Sequence, residues 1–276
     1  MSLCTSMCGT LYCAAIGDSR KGLPMMNQYE QSLLAMEHLL NAVGEVYWAQ
    51  WIHCDIEQWR SDHETSHHLS AYGGMGTLND VVICRTNQHN ITELQEPWVN
   101  ILFEWLTSIC HYLAQHPDDW VTAETLSNAV GKHDSALAAF IGGDKAPSSM
   151  RGLASENRRL EGWRCLRCGH SKVSNYNIEC FIADALLPFM VFRYCETLTL
   201  DRLVDRIIAQ NIIEIEPLRK KLITAVKTSG ISFSDRSGWL PCPCCGEDDS
   251  AINRWKLVAD DTFHFTPSDD NLPLRQ

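Results

Sequence analysis

Two stretches decide how the chain is read: Gly162-Trp163-Arg164-Cys165-Leu166-Arg167-Cys168-Gly169 and, more than seventy residues on, Gly238-Trp239-Leu240-Pro241-Cys242-Pro243-Cys244-Cys245-Gly246. Each holds a Cys-x-x-Cys-Gly unit preceded by Gly-Trp. A two-residue spacer lets both thiolates of a tight turn point at one ion, and the glycine after the second cysteine relieves crowding where backbone amides turn toward sulfur. Two such turns complete a tetrahedral four-thiolate shell. The spacing therefore predicts one structural Zn2+ held by Cys165, Cys168, Cys242 and Cys245, with Cys244 as a spare thiol and His170 as a substitute ligand. A closed shell leaves no position for a substrate water, so such an ion contributes folding energy rather than catalysis.

At these knuckles the chain resembles zinc-ribbon and rubredoxin-like proteins, and the resemblance implies a ribbon of short strands clamped by metal. The wide separation departs from the compact pattern, so the ribbon must carry a large insert over residues 171–238. That insert reads as helical: Ile178 to Cys195 interrupted by Pro188, Thr199 capping Leu200 to Gln210, and Pro217 opening a helix through Val226. Pro241-Cys242 with Cys245 also matches half of the zinc nucleobase deaminase signature, but no His-x-Glu occurs in the chain to shuttle the proton.

The 276 residues are 45% hydrophobic and 21% charged, enough to bury a core, which excludes disorder, collagen and a coiled-coil rod. Thirteen cysteines, odd in number and unevenly spaced, fit metal ligation in a reducing, cytoplasmic compartment better than a disulfide framework. Residues 1–25 are expected to be an extension: they make a poor secretory signal, and Cys4, Cys8 and Cys13 match no ligand spacing. The apolar stretch from Phe181 to Phe192 falls short of the roughly 20 residues a membrane span needs, so no membrane association is expected.

The formal net charge of −11 is not evenly spread. Up to Asp144 there are 5 Lys and Arg against 17 Asp and Glu, and the remainder has 18 against 17. Residues 26–116 read as an acidic helical domain. Leu33, Leu34, Met36, Leu39, Leu40 and Val43 recur near the helical period, Trp48, Trp51, Ile52, Ile56 and Trp59 repeat it, and Gly44 divides the two. Val81 to Cys84 is expected as a strand or buried turn, and a long helix enters at Pro97. Residues 117–144 read as a helix pair around Gly131, compatible with a helix-turn-helix or with ordinary packing. Residues 145–276 form a basic connector followed by the ribbon module. Arg158, Arg159, Arg164 and Arg167 in that connector are the residues that would contact nucleic acid.

Two further motifs lie in the acidic part. His63-Glu64-Thr65-Ser66-His67 is a formal His-Glu-x-x-His, which on one helix would place two imidazoles on a face to hold Zn2+ beside a water-activating glutamate. Ser61, Asp62, Thr65 and Ser66 are weak helix formers, and the third ligand would have to be Glu93 or Glu96; a polar loop or helix end is the expected reading and a hydrolase the alternative. Gly73-Gly74-Met75-Gly76 can form an anion nest, but no P-loop lysine follows, and Asn79 and Asp80 are expected to satisfy neighbouring amides across the turn.

Ser70-Ala71-Tyr72-Gly73-Gly74-Met75-Gly76-Thr77-Leu78-Asn79-Asp80, with Trp48 and Trp51 upstream, resembles a small uncharacterised bacterial domain that also occurs alone. This resemblance implies binding or immunity-type roles and no assigned activity. The sequence as a whole predicts a mainly α protein with a small β zinc ribbon, non-catalytic, whose acidic part binds a protein partner by charge complementarity.

Overall fold

The structure, a computed structural model, describes residues 27–121, 158–165, 167–212, 215–235, 241–246, 252–259 and 265–267. The expected extension, the helix pair at 117–144 beyond Val121, and most of the basic connector lie outside them. The described residues are mainly helical with one small sheet.

α1 (Gln28–Val43) starts where the Asn27 side chain accepts the Tyr29 amide and ends at Gly44, whose φ of 84° permits the left-handed turn. α2 (Val46–Asp62) runs back along it. After the short α3 (Ser66–Ser70) and a single turn at Leu78–Asp80, the chain becomes extended at Val81–Cys84. Of the strand or buried turn expected there, no strand forms among the described residues, and Ile83 is buried. Instead the Asn100 side chain takes the place of a strand partner: its Oδ1 accepts the Ile83 amide and its Nδ2 donates to the Ile83 carbonyl. α4 (Glu96–Gln115), with Pro97 in its first turn, turns Leu102, Leu106, Ile109 and Leu113 inward.

β1 (Arg158–Cys165) and β2 (Ser171–Ser174) form an antiparallel hairpin. Three helices follow: α5 (Asn175–Thr197), α6 (Leu200–Ile208) and α7 (Glu216–Thr228). α5 begins in a reciprocal Ser174–Asn177 cap. It continues through Pro188 rather than breaking there; Leu186, Leu187 and Val191 on either side are buried, and packing offsets the missing amide. β3 (Ser232–Ser234) then pairs parallel to β2, and β4 (Ile252–Ala259) pairs antiparallel to the whole of β1 and also to β5 (Phe265–Pro267). The sheet order is β3-β2-β1-β4-β5. Parallel neighbours need a long crossover, and α5–α7 supply it.

The crossover helices do not form a core of their own. One continuous cluster runs from Tyr29 and Leu33 through Leu102 and Leu106 to Ile182, Leu187 and Leu203. It therefore crosses the boundary expected near residue 116. Buried polar links follow the same route: Gln28 Nε2 donates to the Cys195 carbonyl at 3.2 Å and Gln95 Nε2 to the Ile208 carbonyl at 2.6 Å.

Candidate metal centre

The first knuckle is the turn between β1 and β2. Cys165 closes β1, and its amide donates to the His170 carbonyl at 2.9 Å; the Gly169 amide donates back to the Cys165 carbonyl, also at 2.9 Å. The second knuckle repeats the closure, Gly246 N–H to Cys242 C=O at 2.8 Å. Both glycines are left-handed, with φ of 71° and 74°, a conformation that costs other residues about 1 kcal/mol or more.

The two turns meet. Cys165 Sγ lies 3.6 Å from Cys245 Sγ and Cys168 Sγ lies 3.8 Å from Cys242 Sγ. All four sulfurs fall within 4.8 Å of one another, so the group could hold a metal ion. Thiolates about 2.3 Å from a tetrahedral zinc stand about 3.8 Å apart along the edges, so the donor set fits an ion of that size. Cys165 and Cys242 are buried against Trp163, while Cys168 is exposed. Cys244 is exposed and outside the group, and His170 enters through its carbonyl.

Crowding separates the thiol acidities. Burial raises Cys242, but amide hydrogen bonds from Cys245 and Cys244 outweigh it and bring the thiol down to about 7. A backbone hydrogen bond from His170 favours the Cys168 thiolate, yet desolvation and three neighbouring sulfurs push it up to about 12. Four adjacent sulfurs become anionic together only when a cation replaces their protons, so metal capture releases protons.

The His-Glu-x-x-His stretch does not lie on one helix. α2 stops at Asp62, His63 is its left-handed cap with φ 60°, Glu64 is exposed, and His67 belongs to α3. Among the described residues the four cysteines are the one group of three or more potential ligands. Of the proposed third ligands, Glu93 pairs with Arg85 at 3.3 Å and Glu96 opens α4. At the glycine-rich turn the nest is filled from within, because Asp80 Oδ2 accepts the Gly76 and Thr77 amides at 2.8 and 3.1 Å. Arg164 and Arg167 stand exposed beside the first knuckle, and Arg158 and Arg159 open β1.

A second polar cluster escapes the sequence reading. Asp55, about 1% exposed at its side chain, accepts from His67 Nδ1 at 2.5 Å and from His68 Nδ1 at 2.7 Å. His68 Nε2 meets the Tyr72 hydroxyl at 2.9 Å, which lies 3.2 Å from the Thr107 carbonyl. The buried hydroxyls of Tyr29 and Thr107 have no hydrogen-bond partner among the described residues. The signal was available: Asp55 falls on the same α2 face as Ile52, Ile56 and Trp59, where a carboxylate needs dedicated partners.

A family model described as a domain of unknown function (DUF6966) matches residues 41–92, a span that takes in Trp48, Trp51, Asp55 and the Ser70–Asp80 run. No curated protein and no solved structure matches the chain.

Proposed function

We propose that this chain is a non-catalytic, zinc-binding interaction or regulatory protein of the bacterial cytoplasm, in which the metal clamps a ribbon and the acidic helical part binds a protein partner. The observation that carries this reading is the group of four cysteine sulfurs within 4.8 Å of one another; an ion held by all four would have no open position for a substrate. Its two halves come from opposite ends of the helical crossover, so the ion ties both ends of that crossover to the sheet. The acidic part supplies the other half of the reading: between residues 27 and 121 there are thirteen Asp and Glu, two Arg and no Lys. A field of one sign steers an oppositely charged partner and rejects others. An immunity-type role, as the resemblance at Ser70–Asp80 implies, is one form such binding takes.

Elemental analysis of untagged protein tests the metal. One zinc per chain is expected, lost together with a large part of the thermal stability in Cys165→Ser; a zinc that survives Cys165→Ser and disappears with His63→Ala would overturn the assignment. A pull-down from the native host tests the partner.

A further inference from the structure

We infer that the aromatic row Tyr47–Trp51–His67, on α2 and α3, is the docking face for a Lys- or Arg-rich segment of the protein partner; the inference rests on the partner-binding reading above and gives it a surface and a chemistry. Tyr47 is 61% exposed and its neighbour Val46 58%, an unusual pairing at the start of a packed helix. The Tyr47 ring stands edge-on to Trp48 at 5.1 Å, and Trp51 lies 5.6 Å from Trp48. His67 then stacks on Trp51 at 4.4 Å with 19° between the planes. The row thus runs from one helix onto the next as a single surface.

Three observations select its occupant. Tyr and Trp faces attract ammonium and guanidinium groups through their quadrupoles, and such rings with Arg dominate binding hot spots. The surrounding segment, residues 27–121, carries thirteen carboxylates, and its two arginines are both already paired, Arg60 with Glu30 at 2.8 Å and Arg85 with Glu93 at 3.3 Å. The formal charge of the segment that carries the face, −11, therefore favours a cationic side chain over an anionic one. The row is also held in place before binding: His67 is fixed by the buried Asp55 carboxylate and Trp51 is flanked by Trp48 and His67. A face ordered in advance loses little side-chain entropy on association.

The test uses the full, zinc-loaded chain and a fluorescein-labelled deca-arginine peptide, followed by anisotropy at physiological salt. Tyr47→Ala is expected to weaken binding at least about five-fold, while Tyr47→Phe, which keeps the ring, stays within about two-fold of the parent. Tyr47 lies outside the buried cluster but touches Trp48, so an unchanged thermal midpoint in each variant is the control for folding. Parent protein that does not bind the peptide, or Tyr47→Ala that binds it as the parent does, overturns the inference, the second result reducing the attraction to diffuse charge. In the host pull-down, a partner retained equally by Tyr47→Ala removes this face and leaves the partner-binding reading intact, whereas no partner at all removes the reading itself.

Discussion

At the scale of single residues, Asp55 carries a local cost, since a buried carboxylate must be paired. A carboxylate on the buried face of α2 that carries Ile52, Ile56 and Trp59 is tolerated because two imidazole N–H groups reach it, one for each oxygen. Asp55→Asn keeps the shape but weakens both bonds and leaves His68 buried against a neutral amide. A loss of about 3 kcal/mol is expected, read as a lower urea midpoint with unchanged slope; a change below about 0.5 kcal/mol would show the cluster to be dispensable. The knuckles and this cluster were unequally legible beforehand. Cys-x-x-Cys-Gly is a local code, since the positive φ of the glycine and its amide closure belong to five consecutive residues. Asp55, His67 and His68 meet only because α2 stops at His63 and the chain turns back, which no spacing rule in a helical reading anticipates.

At the scale of elements, the helices are joined through Glu179. Its side chain is about 2% exposed, lies on α5, accepts the Trp98 indole N–H of α4 at 2.9 Å and the Arg219 Nε–H of α7 at 2.5 Å. Arg219 also pairs with Glu216 in its own helix. Removing the two partners is not equivalent. Glu179→Gln leaves a guanidinium that still has Glu216 and some access to water, at about 2 kcal/mol. Arg219→Met leaves a buried carboxylate with only the indole, at about 3 kcal/mol or more. Equilibrium unfolding of the two variants should therefore rank Arg219→Met as the weaker protein, and the reverse order would show that Glu179 is not held by Arg219. Helix positions followed from apolar periodicity, and α1, α2, α4 and α7 lie close to where it placed them. The Pro188 break was not realised, because a proline ends a helix only where surrounding packing does not hold the two sides in line. At Val81–Cys84, expected as a strand or a buried turn, the β-branched composition suits the extended chain, but the partner of Ile83 is one asparagine side chain rather than another strand.

At the scale of the whole molecule, the shared core encloses Cys110 and Cys195, and half-buried Cys180 lies outside that cluster; the three thiols report on integrity. Burial pushes Cys110, Cys180 and Cys195 up to about 12 from an ordinary value of 9.0, with nearby carboxylates adding to the rise at Cys180. An acid whose folded value is raised keeps its full stability while the unfolded thiol is also protonated. It loses stability as pH climbs from the unfolded value toward the folded one, because the unfolded chain then holds fewer protons. Between about pH 9 and 12 each thiol should cost up to about 1.4 kcal/mol per pH unit. Cys195→Ala should make that alkaline decline shallower by about one proton, as seen in denaturation midpoints across the range; an identical slope would mean that the thiol is not enclosed in the folded state. The division near residue 116 rests on apolar periodicity and on the resemblance around Ser70–Asp80, both local to residues 26–116, whereas the core that joins α1 and α4 to α5 and α6 is built from apolar positions on both sides of it. The order of strands has one more consequence, for synthesis. β1 emerges from the ribosome before the crossover helices, while β4, its long partner, and Cys242 and Cys245, which face its knuckle, emerge after them. The nascent chain thus carries an open strand edge and half of the four-sulfur group until the segment from Cys242 to Ala259 has been made, so the group is completed late and Cys165 and Cys168 must stay reduced until then.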